Sequence, residues 1–128
     1  MSALLNPPRP DHRADELVAS GDAVLVVDDD PSFRRLVAAR LERAGACVHE
    51  AASVHEAIET LEQKHVDLVV CDYSMPEANG TNLLAYLVGR AFPGRFVLTS
   101  ASLPPEAAAE ANARGAQTIS KSELLDVL

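Results

Sequence analysis

From Ala23 onward, apolar and polar positions fall into short continuous runs alternating with spaced stripes. Ala23–Val27 is an unbroken apolar run, the pattern of a parallel strand covered on both faces. Asp30 followed by Pro31 predicts a helix start, because Asp caps free amides and Pro is tolerated at the first helical position. Phe33, Leu36, Val37, Leu41 and Ala44 then recur at helical spacing until Gly45 stops the helix. A short strand follows over Ala46–His49. Ser53 with Glu56 forms a capping box ahead of the stripe Val54, Ala57, Ile58 and Leu61. Leu68–Cys71 is another apolar strand, ending at Asp72. Leu83, Leu84, Leu87 and Val88 line the next helix, and Arg95–Leu98 the next strand. Pro104 and Pro105 open an Ala-rich helix over Glu106–Arg114, closed by Gly115. Ala116–Ser120 is a fifth strand, and Ser122–Leu128 begins a last helix. Five strands, each followed by a helix, predict an α/β domain: a parallel sheet with helices on both faces. Residues 1–21 differ: polar, charged and Pro-rich, they are expected to be a flexible extension with at most a helical turn at Asp15–Ser20.

Composition narrows the class. A chain of 128 residues has room for one domain, here residues 22–128, and 48% apolar with 23% charged residues is a globular balance. Eleven basic against nineteen acidic residues leave −8, which argues against nucleic-acid binding, since that rests on Lys and Arg meeting phosphates. The longest apolar run, Leu83–Val88, falls far short of the roughly 18 residues of a membrane span. The start, with Pro7, Pro8 and Pro10, lacks the apolar core of a signal peptide, so a cytoplasmic protein is expected. Cys47 and Cys71 sit in short apolar segments and are expected to be small buried hydrophobes. Cys47 and His49 share a strand face, but no second pair at zinc spacing accompanies them.

In an open parallel sheet the ligand site forms at the carboxyl ends of the strands, near the point where strand order reverses. The residues there are Asp28–Asp30, Asp72, Thr99–Ala101 and Lys121. Taken singly they carry little: an acidic run is usually a solvated turn or a cap, and Asp72 is an ordinary turn opener. Taken together they matter. If the first and third strands are neighbours, Asp28 and Asp29 converge with Asp72, and such carboxylates repel unless a cation or protons neutralise them. Mg²⁺ suits a site with few protein carboxylates. A Lys and a hydroxyl at adjacent strand ends complete a set suited to phosphoryl chemistry, in which a carboxylate attacks phosphorus. The spacing is not that of a calcium-binding EF-hand loop.

The segments Val-Val-Asp28-Asp29-Asp30-Pro31, Asp72-Tyr-Ser-Met75-Pro76-Glu-Ala-Asn79-Gly80, Leu98-Thr99-Ser100-Ala101 and the later Lys121 occur in an order and at separations that resemble a response-regulator receiver domain. The resemblance covers about Ala23 to Leu128. It implies a flavodoxin-like fold, a doubly wound five-stranded sheet in strand order 2-1-3-4-5. It implies a phosphorylation switch of a two-component system rather than an enzyme. Asp72 would be the phosphoacceptor, charged by a sensor histidine kinase or phosphotransfer protein. Mg²⁺ would be held by Asp29, by Asp28 through water, by Asp72 and by the backbone carbonyl of Ser74. Thr99 and Lys121 would contact phosphoryl oxygens. The output would be altered binding to a downstream protein, with homodimerisation left open and neither nucleic acid nor membrane bound directly.

Three departures from the family accompany the match. Ser122 follows Lys121 where the family carries a cis-linked Pro, so a trans peptide is expected, with a shift of the ammonium relative to Asp72. Thr118 stands where an aromatic usually swings inward, which puts the usual readout in doubt. Seven residues follow Lys121, so the last helix is expected to be short. The Ala-rich helix before it is expected to be loosely held.

Two other readings compete. A receiver-like interaction module with lost or altered switching would keep the fold and bind a partner regardless of phosphorylation. A phosphohydrolase of the haloacid-dehalogenase type would use Asp28-Asp29-Asp30-Pro31-Ser32 as its nucleophile segment, though no acidic pair follows Lys121 to complete its metal site. A kinase fragment is disfavoured, because His49-Glu50 and His55-Glu56 lack the basic and Pro residues that should follow a phosphorylated His.

Overall fold

The two strands with uninterrupted apolar sequence, β1 (Ala23–Val27) and β3 (Leu68–Asp72), lie side by side inside the sheet, where both faces need covering. The structure is a computed structural model and describes residues 17–128; the expected extension therefore lies largely outside the described residues. Strands β2 (Cys47–Ala51), β4 (Arg95–Ser100) and β5 (Gln117–Ser120) complete a parallel sheet in the order β2-β1-β3-β4-β5. This is the expected doubly wound, flavodoxin-like topology.

Successive side chains of each strand feed two separate cores, as the pleat requires. On one face, Val24, Val26, Leu68 and Val70 meet Val37 and Leu41 of α1 (Pro31–Arg43) and Leu124 of α5 (Lys121–Val127). On the other face, Leu25, Val27, Val69 and Phe96 meet α2 (Val54–Gln63), α3 (Gly80–Gly89) and α4 (Pro105–Ala113). Leu17 and Val18, which the sequence reading placed in the lead-in, are buried in the first core, and Arg95 donates to the Leu17 carbonyl at 2.7 Å.

Several local expectations shift. β2 runs two residues further than the apolar pattern suggests, because an edge strand needs only one good covered position, here Ala51. Ala46 instead closes α1, its amide donating to the Leu41 carbonyl at 3.1 Å. Cys47 opens this edge strand and is exposed, so only Cys71 is the expected buried thiol. Leu36, placed in the stripe of α1, is turned outward at 39% exposure. At α2 the Ser53 hydroxyl accepts from the Glu56 amide, but the Glu56 carboxylate accepts from Ala52 rather than from Ser53. The last helix begins at Lys121, one residue before the expected start, because Ser120 and Glu123 form a reciprocal capping box.

Candidate functional site

Register decides which side chains meet. Val27 pairs with Cys71, so Asp28, next after β1, comes level with Asp72 at the end of β3. Asp72 in turn pairs with Thr99, and Ser100 with Ser120, which sets Lys121 at the same rim. The Asp28, Asp29 and Asp72 carboxylates each bring one oxygen within 4.8 Å of the others. Asp28 and Asp72 are buried, whereas Asp29 is exposed.

Asp28 is held from several sides. Its Oδ1 accepts from the Asp30 amide at 2.9 Å, and its Oδ2 faces the Lys121 ammonium at 3.0 Å as an ion pair, with no other donor. Its backbone amide donates to the Ala51 carbonyl of β2. Arg34 donates to its backbone carbonyl at 2.8 Å while pairing with Glu50 at 2.9 Å, and Arg35 pairs with the same Glu50. Sequence reasoning missed this Arg34–Glu50 brace, since α1 and β2 carry no local pattern that would align the two.

Lys121 also approaches Asp72 Oδ1, at 3.7 Å. Burial pulls the ammonium down, but the hydrogen bond and charge of Asp28, then the charges of Asp72 and Asp30, outweigh it and leave Lys121 above its ordinary pKa. It is a fixed cation at neutral pH. The Lys121–Ser122 peptide is trans, and the ammonium nevertheless reaches both carboxylates.

Asp72 is the perturbed acid of the site, pushed up to about 6. Burial is the main cause, followed by the Asp28 charge; Lys121 and a hydrogen bond from the Ser74 amide pull the other way. The same burial and the same carboxylates push the Cys71 thiol up, so it stays an inert core side chain. Thr99 is buried beside Asp72, and its hydroxyl has no hydrogen-bond partner. A buried hydroxyl without an acceptor is costly unless a bound group supplies one.

The backbone behind Asp72 is tightly packed. A side chain at Gly80 would stand 2.6 Å from the Asp72 carbonyl and 2.5 Å from Leu98, so only glycine lets α3 start there. Asn79 caps that helix through the amides of Thr81 and Asn82, and Asn82 returns the bond to Asn79.

These groups fit a hard divalent cation. Three carboxylates face one ammonium, leaving excess negative charge in a part-buried pocket where the ionised form of Asp72 is already disfavoured. Beside it, a polar crevice of about 200 Å³ is lined by Ser100, Ala101, Leu103, Thr118 and Ser120. A larger groove of about 390 Å³ lies between the C-terminal ends of α2 and α3, and no residue of the acidic rim lines it.

Comparison with known proteins agrees with this geometry. Residues 24–128 match the family described as the response regulator receiver domain. The transcriptional regulatory protein GlrR of Escherichia coli is 36% identical over 88 residues, which are 67% of this chain and 20% of that protein. An uncharacterised 14.6 kDa protein of Leptolyngbya boryana is 44% identical over 61 residues, 48% of this chain and 47% of its own. The chain thus spans half or less of the length of these curated relatives. Among solved structures, a CheY-like receiver domain protein from Methanospirillum hungatei aligns with a TM-score of 0.74 at 25% identity, covering 84% of this chain and 90% of that one. The chemotaxis protein CheY4 of Vibrio cholerae aligns with 0.72 at 26% identity, covering 84% and 95%.

Proposed function

Because the chain belongs to the response regulator receiver domain family, we propose that it is a phosphorylation-dependent switch of two-component signalling, with residues 22–128 as the switching domain. The observation that carries the reading is the convergence of Asp28, Asp29 and Asp72 with Lys121 at one rim. Asp72 is the phosphoacceptor. Above its pKa of about 6 it is mostly ionised at neutral pH and available to attack. One of its oxygens forms a bond to phosphorus as the phosphorus–nitrogen bond of a phosphohistidine breaks. The electron pair returns to the imidazole, which takes up a proton from solvent.

Asp29, Asp72 and the Ser74 carbonyl, with Asp28 through water, are the groups that would hold Mg²⁺; when bound, the cation offsets the charge of the carboxylates and of the phosphoryl oxygens. Lys121 offsets charge on a second phosphoryl oxygen, and Thr99 supplies the hydroxyl that its burial leaves unpaired. The domain turns over no substrate of its own. Its phosphodonor is a sensor histidine kinase or phosphotransfer protein, its output is binding to a downstream protein, and its compartment is the cytoplasm.

Incubation with Mg²⁺ and a small phosphodonor should label the wild-type chain, and Asp72→Asn should abolish the label. Equal labelling of the variant sinks the assignment. A second reading, an interaction module with altered switching, is favoured by Thr118 standing beside the open crevice. Partner binding that ignores the phosphorylation state would support it. The haloacid-dehalogenase reading fits the site poorly, since Asp30, the third carboxylate of that segment, is exposed and caps α1 through Ser32 and Phe33.

A further inference from the structure

Lys121 has a third neighbour besides its two carboxylates. The face of the Phe33 ring lies with its centroid 4.6 Å from Nζ, inside the range at which an aromatic quadrupole attracts an ammonium. Phe33 is the third residue of α1 and packs half-buried on the same core that holds α5. The ammonium therefore has three walls: Asp28 at 3.0 Å, Asp72 at 3.7 Å and the ring.

We propose that Phe33 is a positioning residue for Lys121, a neutral seat that keeps the ammonium over the rim while its carboxylate partners are drawn to other groups. This rests on the phosphoryl-transfer reading of the site. A cation would engage both carboxylates and phosphorus would bond to Asp72, so their hold on Lys121 changes with occupancy. The ring's attraction does not. Lys121 lies at the edge of the pocket with 23% of its side chain exposed, and its flexible stem can carry the ammonium into solvent once Asp28 releases it. A held ammonium is already aligned for the transferring group, so losing the ring should slow phosphoryl transfer and leave Mg²⁺ affinity unchanged.

The test uses the full chain and two readouts. The lysines are Lys64, which is exposed, and Lys121, so their ε-methylene signals in a ¹H–¹³C spectrum are two. Ring current should move the Lys121 signal upfield of Lys64; Phe33→Leu should collapse it toward Lys64, and Phe33→Tyr should keep it. The labelling rate with a small phosphodonor should fall about three- to ten-fold in Phe33→Leu, the rate equivalent of one such ring contact, and recover in Phe33→Tyr. Should Phe33→Leu lose the folded spectrum, Phe33→Met supplies another ring-free side chain. Coincident lysine signals in the wild type, or an unchanged rate in the ring-free variants, overturn the proposal. A wild-type chain that shows the shifted Lys121 signal but takes no label instead sinks the phosphoryl-transfer reading and leaves the seat in place.

Discussion

Helices α3 and α4 cover the same face of the sheet, yet they are held in different ways. α3 buries Leu83, Leu84 and Leu87, carries a reciprocal cap at Asn79, and rests Gly80 against the Asp72 carbonyl. α4 buries only Ala107 and Ala111, and Pro104 at its start supplies no side-chain cap. Burying a leucine side chain is worth about 1.5–3 kcal/mol, and an alanine methyl far less, so the first helix is anchored several times more strongly. The strand that ends in Asp72 thus runs into a firm element, and the strand that carries Thr99 runs into a soft one. Charge is fixed on one side of the rim, and compliance lies on the other.

The contrast can be broken most forcefully in α3. Leu84→Ala should cost about 2–5 kcal/mol in denaturant unfolding, as core leucine truncations do. Ala109→Gly, at an exposed interior position of α4, should cost about 1 kcal/mol. Equal losses would mean that the two helices are anchored alike. A smaller effect sharpens the comparison at the rim itself. The Asp72 carboxyl binds its proton more tightly in the folded chain than at its ordinary value of 3.8. Its contribution to stability is therefore full below that value and lost as pH rises through about 6. Without metal, the unfolding midpoint of the wild type should fall relative to Asp72→Asn across that window. Millimolar Mg²⁺ should reverse the fall by binding only the folded state. Amide signals of Asp72 and Gly80 should titrate through the window while those of α4 stay still; titration throughout α4 would show that the two sides are not separate.

Much of this was legible in the chain. The apolar runs of β1 and β3 announced central strands, and Asp30-Pro31 and Gly45 bracketed α1, because burial on both faces and helix ends each leave a local signature. The rim residues were legible for the same reason: each stands where an apolar run stops. What escaped depends on distance along the chain. β2 was misjudged at both ends because an edge strand tolerates an exposed Cys47 and half-buried polar residues at His49 and Glu50. Leu36 counted toward the helical stripe, although periodicity alone does not say how wide the covered face is. The Arg34–Glu50 brace and the Phe33–Lys121 contact join segments that only the folded sheet brings together. Ser120 and Glu123 had the spacing of a capping box, a signal present in the sequence and overlooked beside the departure at Ser122.

The unequal fate of the two cysteines has a practical consequence. Cys71 is sealed in the core with a reluctant thiol, while Cys47 opens an edge strand at the end of the sheet away from the acidic rim. A maleimide dye or nitroxide added to the unaltered chain should therefore attach at one place. There it can report motions of the domain without sitting on the groups whose chemistry is being followed.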